Sequence, residues 1–170
     1  MKIAILGSGG REHAIAYAIS KSKKIEKIFC LPGNAGTDII AENINIDINN
    51  FEQVYNFLKK EKIDFVVVGP EQPLVDGIVD YLQKFNIKVF GPNKMSSQLE
   101  GSKIFTKNLC KKYNIPTANF GTFKTKEDTI KFLKKANHPI VIKADNLASG
   151  KGVYICKNLD ESTNAVEEIF

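Results

Sequence analysis

The chain has 170 residues, with 43% hydrophobic and 25% charged side chains, a composition that excludes disordered, collagen-like and disulfide-stapled proteins. The formal net charge is +5, but Arg11 is the only arginine and the lysines are scattered, so the charge does not predict a nucleic-acid partner. The sequence shows no apolar run of membrane-spanning length and no signal peptide. We therefore expect a cytoplasmic protein without a membrane partner.

Short apolar runs alternate with amphipathic segments in the first part of the chain. The pattern predicts strands at 2–6, 26–31, 44–48, 64–68 and 87–90, and helices at 11–22, 51–61 and 74–85. Asn50 is the expected cap of the second helix. Repeated strand–helix–strand units predict an α/β domain over residues 1–93, an open and mostly parallel sheet with helices on both faces.

A second unit is expected after Gly91-Pro92-Asn93. Residues 94–116 form a predicted connecting helical segment, with its helix over about 94–113. Residues 117–170 are expected to be an incomplete α+β subdomain. It has predicted strands at 118–123, 139–144 and 153–156, a helix at 126–136, and a last helix capped by Asp160 or Ser162.

The first predicted strand ends in a glycine turn, Gly7-Ser8-Gly9-Gly10, followed by Arg11. Backbone N–H groups and a helix N-terminus at such a turn suit an anion, and the arginine fork suits phosphate or carboxylate. The dinucleotide fingerprint Gly-x-Gly-x-x-Gly is only half met, because position 12 is Glu. The turn therefore favours a small phosphorylated ligand over NAD, with purely steric glycines as the alternative.

Two further polar loops follow predicted parallel strands: Pro32-Gly33-Asn34-Ala35-Gly36-Thr37 and Gly69-Pro70-Glu71. Ligands of open α/β sheets bind outside the carboxyl ends of the strands, so the three loops are expected to converge. Glu71 can accept hydrogen bonds from a ribose hydroxyl or an amine. Its alternative interpretation is an exposed carboxylate at a helix start.

In the second unit, Lys143 ends an apolar strand, and Ser149, Gly150, Lys151 and Gly152 follow in a loop between two strands. This loop is not a Walker A motif, and it suits a flap over ATP phosphates with Lys143 as a fixed charge. A plain hairpin with solvated lysines is the alternative. Lys103 on its own fits a solvated helix face.

The segments GSGGREHAIA, PGNAGT, VVGPEQPLVDGIVD, FGPNK, QLEGSKIFTK, NIPTA and VIKADNLASGKGV occur in the order found in one enzyme family. The chain resembles, nearly end to end, the phosphoribosylamine–glycine ligases, or glycinamide ribonucleotide synthetases. These are ATP-grasp enzymes of purine synthesis. The resemblance implies a Rossmann-like first domain followed by the start of an ATP-grasp unit.

The resemblance also implies a reaction. Glycine and Mg-ATP give glycyl phosphate, which the amine of 5-phosphoribosylamine attacks to form glycinamide ribonucleotide, with ADP and phosphate as by-products. It implicates one group of residues in phosphoribosylamine binding: Gly9, Gly10, Arg11, Gly33, Asn34, Gly69, Pro70 and Glu71. It implicates a second group in ATP binding: Lys103, Lys143, Ser149, Gly150, Lys151 and Gly152.

The chain departs from the family in two respects: Asn146 replaces a usual glycine, and the family enzyme is more than twice as long. We therefore expect a fragment without full activity. The ligands of Mg²⁺, or of Mn²⁺ in its place, are expected in the missing part. The alternatives are a stand-alone binding module for a small phosphorylated metabolite and another ATP-grasp ligase or carboxylase. The loops PGNAGT and VGPEQPL disfavour the second of these, and a nicotinamide enzyme is disfavoured by Glu12.

Overall fold

The computed structural model describes residues 1–145 and 152–170. The chain divides into two compact units, Met1–Gln98 and Leu99–Phe170. The finer division at residues 93 and 116 stays a prediction. Within the described ranges, no helix is both long enough and apolar enough to cross a membrane.

The first unit is built on a five-stranded sheet with the strand order β3-β2-β1-β4-β5, in which every neighbouring pair is parallel. Its strands are β1 (Lys2–Gly7), β2 (Lys27–Pro32), β3 (Glu42–Asn43), β4 (Phe65–Val68) and β5 (Val89–Phe90). Its helices are α1 (Gly10–Ser20), α2 (Phe51–Glu61), α3 (Glu71–Asp76) and α4 (Ile78–Gln83), and α5 (Lys94–Gly101) contains the boundary between the units. The predicted α/β fold class is confirmed.

Apolar side chains cover both faces of this sheet, because alternate residues of a strand point to opposite sides. On one face, Ala4 and Leu6 of β1 belong to the core that includes Val54 of α2 and Leu82 of α4. On the other face, Ile5 belongs to the core formed with α1. Ile5 and Leu6 are fully buried, as expected for a strand covered on both sides.

Two predicted elements of the first unit differ from the structure. Residues 44–48 are not a strand: Ile44, Ile46 and Ile48 pack against the core, while strand pairing with β2 stops at Asn43. The predicted helix 74–85 is two helices, because Gly77 adopts a left-handed φ of 101° that ends α3. Asn50 caps α2 as predicted, its side chain accepting a hydrogen bond from the Gln53 N–H at 3.1 Å.

The second unit contains an antiparallel pair of strands and three helices among its described residues, in addition to the end of α5. These are α6 (Lys103–Lys112), α7 (Lys126–Leu133), β6 (Ile140–Lys143), β7 (Val153–Cys156) and α8 (Leu159–Ile169). The predicted helix 94–113 is interrupted at Ser102, which is extended and caps α6 by accepting the Phe105 N–H at 3.0 Å. The last helix is capped by Asn158, rather than by Asp160 or Ser162.

The predicted strand at 118–123 is absent from the described residues. The Ala118 carbonyl accepts a hydrogen bond from the Lys107 ammonium at 3.1 Å, and the same ammonium donates to the Thr117 hydroxyl at 2.6 Å. Residues 118–122 are exposed. A side-chain donor therefore satisfies the carbonyl that a neighbouring strand would otherwise bind.

Candidate functional site

The Glu12 side chain packs against the glycine turn that follows β1. Helix α1 begins at Gly10, and the Glu12 carboxylate in its first turn accepts the Gly9 N–H at 2.6 Å. The Glu12 residue is only 5% exposed. Its charge lies at the positive end of the helix dipole, which stabilises a carboxylate there.

The Glu12 side chain lies close to where a Cβ would be placed on three nearby glycines. A Cβ added to Gly7 would lie 2.7 Å from Glu12 Cδ, and one added to Gly9 would lie 2.9 Å from Glu12 Oε2. A Cβ on Gly69 would overlap the Glu12 carboxylate. By contrast, a Cβ on Gly10 would meet no heavy atom within 4 Å outside its own helix backbone. The glycines that contact Glu12 are therefore required by packing, whereas Gly10 faces open space.

Arg11 joins the first loop to the loop after β4. One guanidinium nitrogen, Nη1, donates to the Gly69 carbonyl at 2.6 Å, and Nη2 donates to Glu71 Oε1 at 2.9 Å. The hydrogen bond from Arg11 is the main cause that lowers the pKa of the Glu71 carboxyl, and the backbone N–H of Glu71 adds to it. The Arg11 side chain is nevertheless 59% exposed.

Asn34 joins the loop after β2 to the loop after β1. Its amide group donates to the Ser8 carbonyl at 2.8 Å, and its side-chain oxygen accepts the N–H groups of Gly36 and Thr37 at 2.7 and 3.0 Å. The Gly33 N–H donates to the Gly7 carbonyl at 3.1 Å. The loops that follow β1, β2 and β4 therefore meet at one edge of the sheet.

Sequence reasoning missed the part that Glu12 plays. It treated Glu12 only as the residue that breaks a dinucleotide fingerprint. The signal was present in the spacing of Gly9 and Glu12, since a Glu three residues after a helix N-cap can accept the backbone N–H of that cap. The contact between Glu12 and Gly69 had no such local signal, because those positions meet only after the sheet forms.

In the second unit, Lys143 lies on an exposed apolar face of the β6–β7 pair. The register pairs Lys143 with Val153 and Val141 with Ile155, so these four residues share one side of the two strands. Val141, Val153 and Ile155 are 50%, 46% and 73% exposed. The face thus combines one lysine with a surface of uncovered aliphatic side chains.

Lys103 and Lys143 both adjoin a contact made by Asp145. The Asp145 carboxylate accepts the Ser102 hydroxyl at 3.1 Å and the Ile104 N–H at 2.9 Å, which fastens the end of β6 to the start of α6. Lys103 lies between those two partners in the chain. The two lysines predicted to bind ATP are thus carried by segments that a single carboxylate connects.

The predicted flap falls largely on residues 146–151, so Ser149, Gly150 and Lys151 lie outside the described residues. Gly152 is described, with a left-handed φ of 74°. Its carbonyl accepts the Ala144 N–H at 2.8 Å, which continues the antiparallel pairing of β6 and β7. Glycine suits this φ because it has no Cβ.

A cleft of about 850 Å³ is lined by residues of α6, α7 and the intervening segment. Phe123, Phe132 and the lysines 124, 131 and 135 are among its lining residues. Among the described residues, none of those predicted to bind a ligand lines this cleft.

The described residues offer no cluster of metal-ligating side chains. In residues 1–145 and 152–170, no three His, Cys, Asp or Glu side chains are grouped so that they could hold a metal ion. The expectation that the ligands of Mg²⁺ or Mn²⁺ lie in a part of the family enzyme outside this chain stays a prediction.

Comparison with known families covers the whole chain. The family "Phosphoribosylglycinamide synthetase, N domain" matches residues 1–100, and "Phosphoribosylglycinamide synthetase, ATP-grasp (A) domain" matches residues 101–170. The chain belongs to the phosphoribosylglycinamide synthetase family.

Curated relatives of this family carry the name phosphoribosylamine–glycine ligase. The relative from Clostridium acetobutylicum is 49% identical over 93% of this chain and 38% of its own length. The relative from Mesorhizobium japonicum is 48% identical over 100% of this chain and 40% of its own length. The chain therefore spans about two fifths of the curated relatives that it matches.

Solved structures agree with this assignment. The phosphoribosylamine–glycine ligase of Thermotoga maritima has a TM-score of 0.76 and 36% identity, over 96% of this chain and 38% of that one. The biotin carboxylase domain of Hydrogenobacter thermophilus 2-oxoglutarate carboxylase, solved with MgADP and bicarbonate, has a TM-score of 0.78. It is 19% identical over 99% of this chain and 40% of that one, so it supports the fold alone.

Proposed function

We propose that this chain forms part of an ATP-dependent carbon–nitrogen ligase that joins glycine to 5-phosphoribosylamine. The products are glycinamide ribonucleotide, ADP and phosphate, as in de novo purine synthesis. The family assignment supports this proposal, and so do the curated relatives named as phosphoribosylamine–glycine ligases. All three proposed substrates are small molecules of the cytoplasm, so we propose that the protein is located there.

The observation that carries the substrate half of the proposal is the junction of three loops at one sheet edge. There the exposed guanidinium of Arg11 provides a planar fork suited to the phosphate of phosphoribosylamine, next to the backbone of Gly9 and Gly10. Glu71 provides a carboxylate that can accept a hydrogen bond from a ribose hydroxyl or from the amine. Gly33, Asn34, Gly69 and Pro70 complete the walls of the proposed site.

The proposed nucleotide site lies on the exposed face of the β6–β7 pair. The aliphatic side chains of Val141, Val153 and Ile155 provide an apolar surface for a planar base, and Lys143 on the same face provides charge for the phosphates. Lys103 is proposed to provide a second charge, and Ser149, Gly150, Lys151 and Gly152 are proposed to cover the phosphates. These assignments fit the ATP-grasp family match of residues 101–170.

The proposed chemistry has two steps. The glycine carboxylate attacks the γ-phosphorus of ATP, forming glycyl phosphate as the bond to the ADP oxygen breaks. The amine of phosphoribosylamine then attacks the acyl carbon, and an amide forms as phosphate leaves and the nitrogen loses a proton. The lysines stabilise the charge of the transferred group, and Arg11 and Glu71 hold the amine substrate in place.

The test is calorimetric titration of the chain with glycinamide ribonucleotide, the stable product, and separately with ATP and Mg²⁺. We expect saturable binding of the product. Arg11→Lys is expected to weaken it about tenfold, because a point charge replaces a bidentate fork, while the melting temperature is unchanged. Lys21→Arg, a similar exchange at the other end of α1, is the matched control and is expected to leave the affinity unchanged.

Failure of the folded chain to bind the product would contradict the proposed substrate site. Equal affinity of the wild-type and Arg11→Lys chains would remove Arg11 from that site. Saturable binding of ATP alone would support the second unit's site independently of the first.

A further inference from the structure

Glu12 is a buried charged side chain that has no role in the proposed reaction. Burying a carboxylate is costly unless hydrogen bonds and nearby positive charge compensate for the loss of water. Here the Gly9 N–H donates to it at 2.6 Å, and the N-terminus of α1 adds favourable electrostatics. A residue held in this way fixes the backbone that it touches.

The backbone that Glu12 touches belongs to two different loops. Gly7 and Gly9 are in the loop after β1, and Gly69 begins the loop after β4. The glycines leave room for the carboxylate, since a Cβ at any of the three would come within 3.0 Å of it. Glu12 therefore acts as a spacer that sets how closely the two loops approach.

Arg11, the adjacent residue, also contacts the loop after β4. Its Nη1 atom donates to the Gly69 carbonyl at 2.6 Å, so both Arg11 and Glu12 lie against Gly69. Any shift of Gly69 moves the acceptor that orients the guanidinium. The direction of the Arg11 fork thus depends on the position of the Glu12 carboxylate.

We propose that Glu12 is a positioning residue for ligand binding, which orients Arg11 by fixing Gly9 and Gly69 and does not itself contact the ligand. This inference rests on the proposed function of the same loops.

The test compares Glu12→Ala with Glu12→Gln. Glutamine keeps an oxygen that can accept the Gly9 N–H, whereas alanine loses both the hydrogen bond and the spacer. We expect Glu12→Ala to weaken binding of glycinamide ribonucleotide at least tenfold, and Glu12→Gln to stay within about threefold of wild type. Affinity for ATP and Mg²⁺ is expected to be the same in both variants. Glu52→Gln, in the exposed first turn of α2, is the matched control.

A merely structural role gives a different result. In that case Glu12→Ala lowers the melting temperature, but the affinity of the folded protein for the product is unchanged. That outcome, or a Glu12→Gln variant as weak in binding as Glu12→Ala, would overturn the proposal.

A second measurement separates this proposal from the proposed function. In ligand-free protein, NMR of backbone amides is expected to show faster exchange of the Gly9 N–H and a shifted Gly69 resonance in Glu12→Ala. Neither change is expected in Glu12→Gln or Glu52→Gln. If the wild-type chain binds no product, the proposed function is contradicted. The Gly9 and Gly69 amide signals then still test whether Glu12 sets the spacing of the two loops. An unchanged Gly69 resonance in Glu12→Ala overturns the positioning role even where the product binds.

Discussion

The glycines of the loop junction differ in what would happen if each gained a side chain. Gly69 lies against the Glu12 carboxylate, whereas Gly10 faces open space at the start of α1. The loop junction therefore contains both a glycine position that packing restricts and one that it leaves free. The two can be distinguished by the same substitution.

Gly69→Ala is expected to destabilise the protein by about 1–3 kcal/mol, because the new methyl group overlaps a buried carboxylate. Gly10→Ala, the matched control, is expected to stabilise it by about 0.5–1 kcal/mol by reducing the freedom of the unfolded chain. Urea unfolding followed by circular dichroism measures both changes. Equal effects of the two substitutions would contradict the packing argument.

The Arg11–Glu71 contact predicts a dependence of stability on pH. The hydrogen bond from Arg11 lowers the pKa of folded Glu71 below its unfolded value, so this stabilisation is present above the unfolded pKa and is lost as pH falls through the folded pKa. Arg11→Ala is expected to raise the pKa of Glu71 towards its ordinary value, because the hydrogen bond from Arg11 is lost. NMR titration of the side-chain carboxyl measures it, and Lys21→Ala serves as a control that keeps the low pKa. An unchanged midpoint in Arg11→Ala would show that the ion pair is not formed in solution.

At the scale of elements, the sequence predicted helices and strands best where burial follows a regular period. The runs in β1 and β4 and the stripe of α2 are continuous patterns, and each formed close to its predicted bounds. The pattern of Ile44, Ile46 and Ile48 was misleading, because burial against a core does not require strand pairing. The helix breaks at Gly77 and Ser102 had local signals, a glycine and a capping serine. The regular spacing of apolar residues nevertheless favoured a continuous helix at both places.

Contacts between distant elements could not be predicted in this way. The meeting of three loops followed from the rule for parallel sheets, but the partners of Arg11 did not, since Gly69 and Glu71 are fixed by the register of β1 and β4. The contact of Asp145 with the start of α6 likewise had no signal in the spacing of its residues.

Asp145 offers a test of one such connection. Asp145→Ala removes the acceptor for the Ser102 hydroxyl and the Ile104 N–H, and we expect a loss of about 1 kcal/mol, the usual net contribution of a hydrogen bond. Hydrogen exchange is expected to accelerate at Ile104 and in the rest of the first turn of α6. Asp160→Ala, in the first turn of α8, is the control and should leave α6 unaffected. Unaltered exchange at Ile104 would show that Asp145 does not hold this helix end.

At the scale of the whole molecule, the two units differ in how much apolar surface they bury. Both faces of the sheet in the first unit are covered by cores of buried side chains. Among the described residues of the second unit, the buried apolar side chains are Leu133, Cys156, Ala165 and Val166. Val141, Val153 and Ile155 remain exposed there.

This difference predicts unequal resistance to local opening. Amides of β1 and β4 are expected to exchange at least ~100-fold more slowly than those of β6 and β7, because opening the five-stranded sheet exposes far more apolar surface. Hydrogen exchange followed by mass spectrometry on the 170-residue chain measures the rates. Uniformly slow exchange over both units would contradict the prediction.

The overlap between positions 12 and 69 also limits the order in which this loop junction can change during evolution. A Cβ at position 69 would overlap the side chain that glutamate places at position 12. A small residue acquired first at position 12 removes the overlap and lets position 69 vary, but it also removes the proposed positioning of Arg11. A larger residue acquired first at position 69 passes through a destabilised intermediate. The two sites are thus epistatic, and we expect their substitutions to be acquired together.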